Sequence, residues 1–127
     1  KDKKIRKLVH NFQIVCAYNP PKKYNGSCLD WRDITYKIIP DADFKFYITA
    51  SLKTRVLRRF KELKRIDSSV KLKDVVKSVK KRDKSDKNRN ISKLKKTKDS
   101  ILINTTNLTK KACFLKIKNI MDRKIYN

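Results

Sequence analysis

The chain has 127 residues, with 36 Lys and Arg against 12 Asp and Glu, a net charge of +24, a single histidine and a single glycine. Average chains carry about 7% glycine, and a phosphate-cradling loop needs several glycines close together, so neither such a loop nor a collagen or Gly/Ser-linker segment fits inside these residues. The lone His10 excludes multi-histidine metal sites and leaves little room for a histidine-centred triad.

The length predicts one domain or part of one. Apolar residues make up 39%, below the roughly 45–50% of soluble domains, so the core is expected to be thin. Residues 4–15 place Ile5, Leu8, Val9 and Phe12 at helical spacing. This basic start lacks the apolar stretch of a secretion signal, and no run is long enough to cross a membrane. A cytoplasmic location is the expectation. Because the sequence does not open on Met, a processed or truncated chain is expected.

Pro20 and Pro21 end the first helix. Residues 26–29 read as a short extended run leading into Asp30-Trp31-Arg32-Asp33. A turn at residues 40–43 precedes a strongly β segment, residues 44–50. Ser51 is a good N-cap for a helix to about residue 65 with Leu52, Val56, Phe60 and Leu63 on its apolar stripe. Asp67-Ser68-Ser69 interrupts it. A second amphipathic helix, about residues 71–88, turns Leu72, Val75, Val76 and Val79 inward. Residues 83–98 are nearly all polar and read as a mobile loop. Residues 100–104 are a short buried strand, and Thr109 caps a last helix with Cys113, Phe114, Ile117, Ile120 and Met121 on its apolar side. Helices alternating with short strands predict an α/β fold with a parallel sheet. Three strands make that sheet narrow, as though it belonged to a larger one.

Cys16, Cys28 and Cys113 are odd in number and widely spaced. They read as free thiols of a reducing compartment, with Cys28 and Cys113 expected to be buried. Of the basic residues 27 are Lys and 9 Arg, alongside much Asn and Ile, a pattern that codon drift in an AT-rich genome also produces. The charge still predicts non-specific attraction to nucleic acid.

Ligands of open parallel sheets bind beyond the carboxyl ends of the strands. Asp30-Trp31-Arg32-Asp33 falls there and can face a metal-bound phosphate and grip a second one; the plain alternative is a solvated turn with local salt bridges. Arg82, Asp86 and Arg89 share one helical face by spacing. Two guanidinium forks beside a carboxylate suit an anion and a pair of sugar hydroxyls, though an ordinary surface ion-pair ladder has the same spacing. Arg55, Arg58 and Arg59 form a third basic set, which a solvated helix face would also explain.

Several motifs in order carry a resemblance. Leu29-Asp30-Trp31-Arg32-Asp33-Ile34 is similar to the L-D-G-R-D-I of bacterial cytidylate kinases. Pro40-Asp41-Ala42-Asp43-Phe44-Lys45 and Thr49-Ala50-Ser51 match that family's P-D-A-D-x-K strand and T-A-S. Residues 82–89 resemble its R-D-x-R-D-x-N-R, and residues 101–109 its I-x-I-D-T-T-G-L-S. The likeness runs from about Ile5 to the end. It implies an incomplete three-layer α/β/α parallel sheet of the P-loop nucleoside monophosphate kinase type. Residues 1–127 would be the C-terminal part of the domain, with a lid at about residues 60–98 and the N-terminal phosphate-loop part absent.

The implied activity moves the γ-phosphoryl group of ATP, with Mg2+, onto CMP or dCMP. By the resemblance, Arg6 and Asp33 read cytosine, Arg82 and Asp86 hold the sugar, and Arg32 and Arg89 clamp the CMP phosphate. Asp30 sits near the magnesium–phosphate centre, and Asp30 and Arg32 are the catalytic pair. Arg55, Arg58 and Arg59 lie on the ATP or lid side, and the chain itself ligates no metal. A monomer without membrane or specific nucleic-acid partners is expected, and a chain without the phosphate loop is expected to be inactive alone. The sequence departs from the pattern at Trp31 and Thr35, which replace glycines, at Ser85 for an arginine, Asn104 for an aspartate and Asn107 for a glycine. The alternative is a small basic nucleic-acid-binding protein, for which charge is the sole support.

Overall fold

A computed structural model describes residues 3–88 and 93–126. Four helices and two strands follow in the order α1 (Lys3–Tyr18), β1 (Phe46–Thr49), α2 (Leu52–Lys64), α3 (Leu72–Asn88), β2 (Ile101–Asn104) and α4 (Lys110–Tyr126). A single π-helical turn, Ile34–Ile38, lies between α1 and β1. The α/β class with a parallel sheet is the one formed: β1 and β2 pair in parallel, Phe46 opposite Ile101 through Thr49 opposite Asn104. Parallel neighbours need a crossover, which α2 and α3 provide. Aromatic and β-branched residues favour the strand state at both segments.

Three expectations are corrected among the described residues. Residues 26–29 form no strand, so the sheet has two strands rather than three. That run carries only Cys28 and Leu29 as apolar residues, and nothing in it pairs with a neighbouring strand. Residues 83–88, read both as the end of the second helix and as the start of a polar loop, belong to α3, and their carboxylates, Asp83 and Asp86, are held by arginines from elsewhere. Cys28 is exposed and Cys113 half-buried.

Both caps form as read. Ser51 Oγ accepts from the Thr54 N–H at 3.2 Å, and Thr109 Oγ1 from the Ala112 N–H at 3.1 Å. Asp67 Oδ1 accepts from the Ser69 N–H at 2.8 Å and its hydroxyl at 2.7 Å, an Asx turn that separates α2 from α3. The buried apolar residues are few: Ile34, Ile38, Val56, Val75 and Ile103. Val56 and Val75 are the buried residues of α2 and α3, which pack on each other, while Leu72 is exposed. The wide turn at Ile34–Ile38 is closed by the Ile39 N–H on the Ile34 carbonyl, 2.9 Å, and brings Ile34 and Ile38 inward together.

A short polar strap fastens the sheet from below. Lys45, 8% exposed, donates its ammonium to the Pro40 carbonyl and to Asp99, joining the segment before β1 to the segment before β2. Just before Lys45 in the chain, the Asp43 carbonyl accepts from Lys124 Nζ at 2.9 Å, and that ammonium lies 5.0 Å from the Phe44 ring centre, holding the end of α4. Neither α1 nor α4 has a buried residue, and Phe114, expected on the apolar side of α4, is 64% exposed.

Candidate functional site

The last two turns of α3 organise the site. Asp83 and Asp86, three residues apart, stand on one side of the helix. Carboxylates there face the negative end of the helix dipole, so they need cationic partners. Each receives an arginine from a different part of the chain.

Asp86 is taken by Arg32. The Arg32 Nε lies 3.0 Å from Asp86 Oδ1, and both side chains are largely withdrawn from solvent, 19% and 14% exposed. Arg82 approaches the other oxygen at 3.9 Å from a solvent-facing position. Thus Arg32, read from the Asp30–Asp33 cluster, meets Arg82 and Asp86, read together from their helical spacing, at one point. Next to them, Asp33 is buried at 4% exposure, with Lys37 Nζ 3.9 Å away. Tyr36, on the same π-helical turn, has its hydroxyl pKa pushed up, first by burial and then by the Asp33 charge. It donates to the Lys93 carbonyl at 2.7 Å. Asp30 is exposed. Trp31 is exposed as well, with the Arg32 guanidinium carbon 5.8 Å from its ring centre. Arg6 is exposed on α1, a helix that contacts the Ile34–Ile38 turn. Arg89, the second expected phosphate clamp, lies outside the described residues.

Asp83 is taken by Arg55. The two form a bidentate pair, 2.7 and 2.8 Å, and Arg55 Nε also donates to the Ala50 carbonyl at 3.1 Å. The guanidinium holds the Asp83 carboxyl below its ordinary range, and Asp83 in turn raises Arg55. Arg55 therefore links the carboxyl end of β1 to the same helix turn that holds Arg32. Since Arg55 starts α2 and Asp83 lies late in α3, the two helices run antiparallel.

Arg58 does other work. Its guanidinium donates to Thr105 Oγ1 at 3.0 Å, the Thr105 carbonyl at 2.6 Å and the Leu108 carbonyl at 3.0 Å. It ties α2 to the loop after β2. Thr105 Oγ1 also donates to the Thr49 carbonyl at 3.1 Å, and the Ser51 N–H to Thr106 Oγ1 at 2.9 Å. Asn104, in the place of the family's aspartate, accepts from the Thr106 N–H at 3.0 Å and from its hydroxyl at 2.7 Å. The carboxyl ends of both strands are thereby stitched together. Arg59 pairs with Glu62 at 2.7 Å on the exposed face of α2.

Sequence reasoning had no separate role for Asp83, the partner of Arg55, or for Thr105, the anchor of Arg58. The i, i+3 relation of Asp83 to Asp86 was the available signal for the first. Among the described residues no three His, Cys, Asp or Glu side chains gather as metal ligands, and Asp30 alone does not make a metal centre. No helix there is long and apolar enough to cross a membrane.

This arrangement can be set beside known proteins. The family model described as cytidylate kinase matches residues 2–123. A cytidylate kinase of Clostridium botulinum (strain Okra / Type B1) is 42% identical over 115 residues, covering 91% of this chain and 52% of its own. Another from the Hall strain of that species is 44% identical over 101 residues, 80% of this chain and 46% of its own. One from Mesomycoplasma hyopneumoniae (strain 7448) is 33% identical over 121 residues, 95% of this chain and 49% of its own. The chain spans about half the length of the relatives it matches. With the family model covering nearly all of it, the chain belongs to the cytidylate kinase family.

Proposed function

We propose that the chain is the C-terminal, substrate-holding part of a nucleoside monophosphate kinase that moves the γ-phosphoryl group of ATP onto CMP or dCMP. The observation that carries this reading is the meeting of Arg32, Arg82 and Asp86, with buried Asp33 beside them. A phosphate dianion arriving at this point replaces Asp86 as the partner of the Arg32 fork, and charge-assisted, bidentate hydrogen bonds reward the exchange. Asp86, released in part, accepts from ribose hydroxyls, and Arg82 donates to them. Asp33 accepts from the exocyclic amine of cytosine, the chemistry by which carboxylates read C elsewhere, with Arg6 on the facing helix. Arg89 completes the phosphate clamp.

Phosphoryl transfer asks the protein mainly for positioning and for stabilisation of charge on the transferring group. Arg32 supplies positive charge at the acceptor phosphate, and Asp30 stands at its edge toward MgATP. Mg2+ enters with ATP as substrate, and the described residues supply no ligand cluster for it. Arg59 lies toward the ATP side, within the lid of about residues 60–98 or beside it. Arg55 and Arg58 serve that side by holding α2 against α3 and against the ends of the strands. The phosphate loop belongs to the half of the relatives' length that this chain does not match. Two features support an incomplete domain. Ile5, Leu8, Phe12 and Val15 leave an apolar face of α1 exposed, and each strand is an edge strand among the described residues. Free thiols at Cys16, Cys28 and Cys113 support a reducing, cytoplasmic setting, and we take the protein as a monomer.

Calorimetric titration of the 127-residue chain with CMP tests the site. Binding is expected, weakened about tenfold or more by Arg32→Ala, the scale of a lost hydrogen-bonded charge. Equal affinity in the variant rejects the assigned grip. Phosphoryl transfer from ATP to CMP by this chain alone is expected to be undetectable, and measurable transfer overturns the placement of the phosphate loop outside it.

A further inference from the structure

We infer that Trp31 is a positioning residue for Arg32, holding its guanidinium plane in place while Asp86 and the incoming phosphate compete for its N–H groups. The inference rests on the reading of Arg32 as the phosphate grip. Its own support is separate: a large aromatic side chain, 57% exposed, stands between exposed Asp30 and half-buried Arg32. A solvent-facing indole gains nothing from core burial at this place. It lies 5.8 Å from the guanidinium carbon, inside the range of a cation–π contact. Arginine can stack on a ring and donate in its own plane at the same time, which a lysine cannot do.

Two groups therefore restrain Arg32 in different ways. Asp86 holds it through Nε at 3.0 Å and must give way, at least in part, when a phosphate arrives. The indole contact is made by the ring, with the guanidinium carbon over it, and is separate from the Asp86 pair. A ring contact that persists through the exchange keeps the long side chain from being freed, and so reduces the entropy lost on binding. A glycine at this position, as in the motif the sequence otherwise follows, leaves Arg32 without that support.

Because Trp31 is the single tryptophan of the chain, its emission reports the contact directly. Without nucleotide, Arg32→Lys and Arg32→Leu are each expected to change Trp31 emission and raise its quenching by acrylamide. Unchanged emission and quenching in both variants overturn the inference, whatever the chain does with CMP. With CMP, calorimetry on Trp31→Leu is expected to show affinity about three- to fivefold lower, the scale of one exposed cation–π contact. Trp31→Phe is expected to recover most of it, and cytidine, which lacks the phosphate, to bind all three proteins alike. Full affinity in Trp31→Leu overturns the inference, as does an equal loss toward cytidine and CMP, which assigns Trp31 to the base or to general stability. If the unaltered chain binds no CMP, the substrate reading fails and the emission of the Arg32 variants decides the Trp31 contact alone.

Discussion

The segment from Lys45 to Leu108 and helix α1 are built on opposite terms. In the first, polar side chains tie every element to another: Lys45 to Asp99, Arg55 to Asp83, Arg58 to Thr105 and Leu108. Its few buried apolar residues, Val56, Val75 and Ile103, sit inside those ties. In α1 the amphipathic pattern is comparable, yet Ile5, Leu8, Phe12 and Val15 are 55–69% exposed. Its C-terminal end is fastened through the Tyr18 hydroxyl on Asp41 and the Ser27 hydroxyl on the Cys16 carbonyl at 2.7 Å. An apolar stripe thus states that a face is meant to be covered, and the cover need not lie in the same stretch of chain. The match to only about half of each relative's length fits that reading.

The largest expected effect separates the two regions. Ile103 is 1% exposed at the centre of β2, so Ile103→Ala should cost about 2–4 kcal/mol in urea unfolding, through lost transfer energy and a cavity. Phe12→Ser on α1 should stay within about 0.5 kcal/mol, as surface changes do. A loss at Phe12 comparable to that at Ile103 shows that α1 is covered in solution, and breaks the contrast.

A smaller effect is expected at the joint between α2 and α3. Asp83→Asn removes the bidentate partner of Arg55, whose side chain is 38% exposed. For a half-exposed pair of good geometry the loss should be about 1 kcal/mol, reduced by salt. Glu62→Gln, which breaks the exposed Arg59 pair on the same helix, should cost less than Asp83→Asn. Reversal of that order removes the Arg55–Asp83 joint from the account of how the region holds together.

How much of this was legible follows from whether the deciding forces were local. Ser51 and Thr109 cap helices because a hydroxyl accepts an N–H three residues on, and nothing distant is needed. The two strands were readable from aromatic and branched residues. The expected strand at residues 26–29 was not formed, since a strand exists only with a partner and two apolar residues do not secure one. The π-helical turn carries no local signature; Ile34 and Ile38 are buried together through the tertiary packing around them. Within the site, helical spacing joined Arg82 to Asp86, and the motif order brought in Arg32. The tasks of Arg55 and Arg58 were not legible, because their partners Asp83, Thr105 and Leu108 lie 28, 47 and 50 residues away. Spacing along a helix cannot reveal a partner on another element.

The smallest expected effect lies at the Lys45–Asp99 strap and can be followed with acid. The Lys45 ammonium, with help from the Thr97 hydroxyl, holds the Asp99 carboxyl down to about 2. An unfolded chain titrates an Asp near its ordinary value of about 3.9. With the folded value depressed, the unfolded state binds the proton first as pH falls, so Asp99 contributes its stability fully above about pH 4 and loses it toward pH 2. Carbon-13 shifts of the Asp99 carboxyl should accordingly show it still ionised at pH 3, where an unpartnered Asp is mostly protonated. Lys45→Met should move the titration upward, toward the ordinary value. If Asp99 titrates near 3.9 in the unaltered chain, the ammonium of Lys45 does not bridge the two strand entries in solution, and the sheet is held from its carboxyl ends, by Arg58 and Thr105, instead.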